Sequence, residues 1–315
     1  MNLSVIISTY NGAKKLPVIL NSLLKQTQKD FELLVIVDGS TDETMDILKD
    51  WENRFSAFKI VYQKNKGRAA VRNTGVKNAQ NELLLFFDDD LEVDENCIKH
   101  HIEYQTKTNF KTIFVGEIID APIKTSDNKE FVTYKKYVAN GWHKNMFRKD
   151  RKIDEHTFDG DYYLAAANFS ITKSIFNKIG GMDESLNRAE DYEFAIRAKA
   201  AGIQTILAEN FAKVIHLDSN NNFRDWILKA RLGEINNAIV YAKDKEKFKV
   251  YAPPEKNLTN FLKKVVFRSL ANKTAYHFMV SSSILKLFIP NYILFRAYDL
   301  IVAANSKYYP DKIKL

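Results

Sequence analysis

One cysteine, Cys97, stands in a chain of 315 residues. A lone thiol closes no internal disulfide, so nothing here requires an oxidising compartment. Cys97 follows Asp94 and Glu95 at a helix start, where a small buried hydrophobe is the simplest reading. Cys and His never cluster at zinc-site spacing. No uncharged apolar run reaches the roughly 18 residues of a membrane span. The best, Thr274 to Leu285, ends after twelve residues at Lys286. The start, Met1-Asn2-Leu3-Ser4, lacks the basic and apolar segments of a secretory leader. These absences point to a cytoplasmic protein without repeats or low-complexity tracts.

The composition is that of a folded protein, 45% hydrophobic and 27% charged. Its net charge of +8 is unevenly placed. Residues 251–315 hold ten Lys and Arg against three Asp and Glu, leaving the first 250 residues nearly neutral. Such a tail suits nucleic acid, an anionic membrane or an anionic substrate. It lacks the motifs of a nucleic-acid module, so no nucleic-acid partner is expected.

Strand and helix alternate over the first 120 residues. Strands are expected at Leu3–Ser8, Phe31–Val37, Phe58–Tyr62, Leu83–Phe87 and Thr112–Ile118. Helices are expected at Leu16–Lys25, Thr41–Arg54 (capped by Ser40 or Thr41), Ala69–Ala79 and Asp94–Thr106. This alternation implies an α/β fold with a mostly parallel sheet covered on both faces. Residues 120–160 read as an irregular, mobile insertion. Asp161–Thr172 reads as extended, Lys173–Ile179 and Ala189–Ala201 as helices, Ile203–Ala208 as a strand. Beyond residue 222 the pattern is helical.

Ligands of such sheets bind beyond the carboxyl ends of the strands. Those ends carry Ser8-Thr9-Tyr10-Asn11-Gly12, Asp38-Gly39-Ser40 and Asp88-Asp89-Asp90. Three successive carboxylates repel one another, and a divalent cation with hard oxygen ligands would relieve this; a solvated acidic turn is the plain alternative. In Asn65-Lys66-Gly67-Arg68-Ala69-Ala70-Val71-Arg72-Asn73 a glycine turn enters a helix N-terminus, a setting that favours anions. Arg68 and Arg72 share one helix face, which suits a diphosphate or simply solvent. Gly180-Gly181-Met182-Asp183-Glu184 precedes Glu190-Asp191. Those acids either stabilise a helix start or supply a general base. His216 is a core histidine or a third ligand of a mixed oxygen–nitrogen metal site. Trp51 reads as a packing residue. Trp142, in the insertion, could offer a platform to a sugar ring.

Taken together and in order, these motifs resemble the family 2 glycosyltransferases, which have the Rossmann-like glycosyltransferase A-type fold. The resemblance spans residues 3 to about 220. It implies nucleotide contacts from Thr9, Tyr10, Asn11, Asn65, Gly67, Arg68, Arg72, Asn73, Asp88 and Asp89, with Asp38 reading the base. Val71 stands where the family usually has alanine. By the family pattern Asp88 faces the ribose and Asp90 binds Mn²⁺ or Mg²⁺; Asp88 and His216 are the further candidate ligands. The acceptor side is Gly181, Met182, Asp183 and Glu184, with Trp142. Glu190-Asp191 resembles the catalytic acidic pair, and Asp191 becomes the base. The implied reaction is inverting transfer from a nucleotide sugar, UDP by default with dTDP and GDP open, to a saccharide or glycolipid of bacterial surface polysaccharide synthesis. At an ordinary carboxylate pKa of about 3.9, Asp191 would already be ionised. A polyprenyl-phosphate acceptor is the alternative, and a non-catalytic binding module a weaker one.

The resemblance implies a catalytic domain over 1–220. The tail, 221–315, carries Leu258, Phe261, Leu262, Val265, Val266 and Leu270 at helical spacing, with Lys263, Lys264 and Arg268 off that stripe. This basic amphipathic helix packs on the protein or a second copy, or rests on the inner face of an anionic membrane.

Overall fold

The computed structural model describes residues 3–121, 129–186, 188–217, 223–249, 261–275, 277 and 289–309. The chain divides into two units. The first comprises residues 1–122 and 144–218, the second 123–143 and 219–315.

The first unit opens with β1 (Leu3–Thr9), α1 (Leu16–Leu24), β2 (Phe31–Asp38), α2 (Thr44–Lys49), β3 (Phe58–Gln63), α3 (Arg68–Asn78) and β4 (Leu83–Asp88). β5 (Leu91–Val93), α4 (Cys97–Lys107), β6 (Ile113–Val115) and β7 (Ile118–Asp120) follow. α5 (Lys129–Met146) begins in the second unit. The first then resumes with β8 (Thr157–Asp159), β9 (Asn168–Thr172), α6 (Lys173–Ile179), α7 (Glu190–Ala200), β10 (Thr205–Ala208) and β11 (Val214–His216).

Eight strands form the main sheet in the order β3-β2-β1-β4-β9-β6-β10-β8. The first four are parallel, and β9 enters antiparallel between β4 and β6. Alternation along β1 builds both layers. Leu3, Val5 and Ile7 join the core beneath α1, while Ile6 faces Ala69, Val71 and Val76 of α3. A smaller sheet, β5-β11-β7, carries His216.

β9 is held by a satisfied buried polar network. Asn168 donates its amide to Ala212 O at 2.8 Å, so its Oδ1 accepts from His101 Nε2 at 2.9 Å. Ser170 Oγ lies 2.9 Å from His101 Nδ1 and accepts from Gln105.

Several expectations need correction. The helix expected over Thr41–Arg54 is shorter, because its proposed caps are engaged elsewhere. Asn11 N donates to Ser40 Oγ, and Thr41 N donates to Asn11 Oδ1. The strand expected over 112–118 breaks at Gly116, where a Cβ would meet Ala212 O at 2.3 Å. Only Asn168–Thr172 of the extended stretch is a strand. The insertion expected to be irregular contains the 18-residue helix α5. Its Phe131, Tyr134 and Val138 recur at i, i+3 and i+7 and pack in the core of the second unit.

That unit also holds α8 (Phe223–Lys243), α9 (Phe261–Leu270) and α10 (Asn291–Ala303). Phe223, Ile227, Leu294, Phe295, Tyr298 and Ile301 build its core with α5. Leu258 and Leu285–Phe288 lie outside the described residues. No helix among the described residues is long and apolar enough to cross a membrane.

Candidate active site

A pocket of about 330 Å³ opens beyond the carboxyl ends of β1, β2 and β4, and Ser8, Tyr10, Lys15, Arg68 and Asp90 are among its lining residues. The loop after β1 must turn tightly there. A Cβ on Gly12 would sit 2.1 Å from Thr9 Oγ1 and 2.8 Å from Asp89 Oδ2, so only glycine fits. Asp38 closes the second side. Its Oδ1 accepts from Gln63 Nε2 at 2.7 Å and Lys66 N at 2.9 Å, and its Oδ2 from Gly67 N at 2.9 Å. Asp38 thus shapes the Asn65–Gly67 turn, where Gly67 has φ +90°. Its Oδ2 keeps a second lone pair for a ligand.

The acidic triplet is not a bare cluster. Asp88 Oδ1 is 2.7 Å from Arg72 Nη2. Asp89 accepts from Thr9 Oγ1 at 2.7 Å and from Lys15 Nζ at 3.2 Å. Asp90 Oδ2 lies 4.0 Å from Lys15 Nζ, and its Oδ1 lies 3.5 Å from His216 Nε2. Burial lifts the pKa of Asp89 despite Thr9 and Lys15. Burial also acts to raise Asp90, but His216 and Lys15 hold it below the ordinary carboxylate range. Mutual repulsion therefore does not by itself demand a metal.

The donor set still fits one. Among the described residues no three His, Cys, Asp or Glu side chains converge as a cluster. Yet Asp90 Oδ1 is buried without a hydrogen-bond partner, and a histidine nitrogen faces it. One carboxylate and one imidazole, completed by phosphate oxygens, suit Mn²⁺ or Mg²⁺. Asp88, bound to Arg72, is not brought into that pair. Ser8 Oγ is likewise buried without a partner in the pocket.

The paired arginines part company. Arg68 is exposed at the pocket. Arg72 is only 3% exposed, and besides Asp88 it binds Glu190 Oε1 through Nη1 at 2.8 Å. Asn73 also turns away from the pocket. It donates to Met182 O at 2.8 Å and to Glu184 Oε1 at 2.9 Å, and accepts from Met182 N at 2.9 Å. α3 thus ties the pocket to the Gly181–Glu184 loop and to the start of α7. Arg197 clamps the same loop, donating to Ile179 O at 2.6 Å and Gly181 O at 2.7 Å. Asp183 caps Ser185.

Asp191 opens α7 beside Glu190. Burial and the Glu190 charge push its carboxyl up to about 6, against the pull of Arg72. The ordinary value expected from sequence is therefore corrected upwards. Ala189, just before, holds φ +62°, a left-handed conformation costly for any residue with a Cβ. Trp142 is carried by α5 in the second unit and is 41% exposed. Trp51 packs in the core, with the Arg54 guanidinium 4.4 Å over its ring.

Lys15, Gln63, Asp120 and Arg197 escaped the sequence reading. Lys15 had a usable signal, one helical turn from the loop that carries Thr9. The others are placed by contacts distant in sequence.

The chain is 29% identical over 198 residues to an uncharacterized glycosyltransferase of Haemophilus influenzae, covering 62% of this chain and 61% of that protein. It is 36% identical over 96 residues to a cholesterol galactosyltransferase of Borreliella burgdorferi, covering 30% of this chain and 27% of that one. The chain thus spans less than two thirds of the length of either relative. In fold it is similar to the mannosyltransferase PcManGT of Pyrobaculum calidifontis, solved with GDP-Man and Mn²⁺, at TM-score 0.64 and 15% identity over 99% of this chain and 88% of that one. S. aureus TarS 1-349 in complex with UDP-GlcNAc matches at TM-score 0.53 and 20% identity, over 96% and 81%. The family model described as glycosyl transferase family 2 matches residues 4–176, more than half of the sequence, and the chain belongs to that family.

Proposed function

We propose that the protein transfers a sugar from a nucleoside-diphosphate sugar, UDP by default, to a hydroxyl of a saccharide or glycolipid, inverting the anomeric centre. One observation carries this reading. The Asp88–Arg72–Glu190 ion network fastens the pocket's acidic motif to the carboxylate next to Asp191. Donor and base are then held in one rigid frame, as direct displacement requires.

Asp38, Asn65 and Gly67 border the base, and Ser8, Thr9, Tyr10 and Asn11 the opposite wall. Arg68 meets the diphosphate. A divalent cation held by Asp90 and His216 would supply charge stabilisation to the departing nucleoside diphosphate. Asp191 takes the proton of the acceptor hydroxyl. The oxygen attacks the anomeric carbon from the face opposite the diphosphate, and the electron pair of the breaking bond leaves with the diphosphate. Gly181, Asp183 and Glu184 border the acceptor, whereas the Met182 side chain, expected there from the sequence, is 2% exposed and packs in the core.

Asp191→Asn tests the base. Nucleotide affinity by calorimetry should hold within about twofold, and turnover should fall about 10²–10⁴-fold. Undiminished turnover would remove Asp191 as the base and favour an acceptor already ionised, such as a polyprenyl phosphate.

The acceptor side includes a membrane surface in this reading. On α9, Phe261 and Leu262 are 75% and 72% exposed, and Val265 and Val266 are also exposed. Phe267 and Leu270 of the same helix are less exposed. An apolar stripe bordered by Lys264 and Arg268 matches an anionic lipid surface in both polarity and charge. Charge reversal at Lys263, Lys264 and Arg268 should abolish cosedimentation with phosphatidylglycerol vesicles. Unchanged cosedimentation would remove α9 as the contact.

A further inference from the structure

Asp120 lies outside every motif considered so far. It ends β7, and in the small sheet its register partner on β11 is His216. Two backbone bonds fix this corner. Ala121 N donates to His216 O at 2.9 Å, and Leu217 N donates to Asp90 O at 2.8 Å. The imidazole is therefore bracketed. Nε2 lies 3.5 Å from Asp90 Oδ1, and Nδ1 lies 3.6 Å from Asp120 Oδ1.

The two carboxylates differ in setting. Asp120 is 51% exposed, whereas the Asp90 oxygen facing the ring is buried without a hydrogen-bond partner. A negative charge beside Nδ1 favours a proton on that nitrogen. Nε2 and the buried Asp90 oxygen then face each other across 3.5 Å, a nitrogen and a carboxylate oxygen placed so that one divalent cation can take both as ligands. Metal-binding histidines commonly turn their second nitrogen to a carboxylate, which fixes ring orientation and strengthens the donor nitrogen.

We propose that Asp120 is a positioning residue that orients His216 as a nitrogen ligand for the divalent cation shared with Asp90. The proposal rests on the metal reading of Asp90 and His216 given above, and it assigns Asp120 no contact with substrate. Its half-exposed side chain at a strand end makes substitution compatible with folding, which a melting curve checks.

The test titrates Mn²⁺ alone into the full chain and follows the paramagnetic resonance signal of free Mn²⁺. Asp120→Ala should weaken Mn²⁺ binding about 10–100-fold. Asp120→Asn keeps an acceptor oxygen at Nδ1 and should recover most of that loss. His216→Ala should lose at least as much as Asp120→Ala. The double variant should be no weaker than His216→Ala alone, because Asp120 acts only through the ring. Parental affinity in Asp120→Ala, with a loss in His216→Ala, would overturn the proposal and leave the metal reading standing. Additive losses would also overturn it. Parental affinity in His216→Ala, or no Mn²⁺ binding by the parent chain, would overturn both.

Discussion

Arg72 Nη1 lies 2.8 Å from Glu190 Oε1, a contact between residues 118 positions apart. Both side chains are 4% exposed, and the same guanidinium holds Asp88 at 2.7 Å. Removing Arg72 leaves both carboxylates without their counter-charge. Arg72→Met should cost about 3–5 kcal/mol in guanidinium-chloride unfolding, the usual range for a broken buried pair. Asp88 is 34% exposed, which favours the lower end. Arg72→Lys should restore only part of this, since a single ammonium does not reproduce a fork spanning two partners. A loss under about 1 kcal/mol for Arg72→Met would show that the network is not a structural tie.

Burial sets the pH profile, and the same network adjusts it. With Asp191 pushed up to about 6, the base is protonated below that pH and free above it. kcat/KM should therefore rise with pH through about 6 and level off near neutrality. The neighbours shift the limb in opposite directions. Glu190→Gln removes a negative charge that raises Asp191, so the limb should move to lower pH. Arg72→Met removes a positive charge that lowers it, so the limb should move to higher pH. A limb near the ordinary carboxylate value of about 4 in all three proteins would mean that Asp191 is not titrating in this environment.

What the sequence makes legible follows from the range of the forces involved. β1, β2 and β4 carry the unbroken apolar runs Val5–Ile7, Leu33–Val37 and Leu83–Phe87, and the burial of those runs is written in composition. The strand ends bearing Asp38 and Asp88–Asp90 follow from the α/β pattern alone. The partners of those residues do not. Arg68 and Arg72 share a helix face, yet one is exposed and the other buried, because α7 arrives from far along the chain to cover Arg72. α5 escaped because its apolar positions Phe131 and Tyr134 find partners distant in sequence, on α8 and α10. The raised pKa of Asp191 is a property of burial, which no local pattern states.

His101 gives a prediction about folding. Its ring is fully buried, and burial lowers its pKa to about 3 despite the Asn168 hydrogen bond. The unfolded chain takes up that proton near pH 6.5. The contribution of neutral His101 is therefore complete above about 6.5 and is lost as pH falls towards 3. The slope is at most about 1.4 kcal/mol per pH unit. His101→Gln keeps a polar side chain and removes the proton. Its denaturation midpoint should fall less than that of the parent between pH 7 and 4.5. Equal falls would assign the acid sensitivity to other groups.

Nucleotide choice and metal dependence can be read in one thermal-shift panel of UDP, dTDP, GDP and CDP, each with and without Mn²⁺. A ligand that binds only the native state raises Tm by mass action, by about 2.7 kcal/mol of added stability at a hundredfold excess over Kd. UDP should give the largest rise, and Mn²⁺ should enlarge it because Asp90 Oδ1 and His216 Nε2 sit beside the pocket that would hold the diphosphate. Asp90→Asn should remove the Mn²⁺-dependent part and keep the rest, since the turn shaped by Asp38 does not involve Asp90. Arg68→Ala should reduce the rise in both conditions. A rise with UDP that is identical with and without Mn²⁺ would separate the two halves of the reading. The pocket would stand as a nucleotide site, and the charge of the departing diphosphate would fall to Arg68 and Lys15.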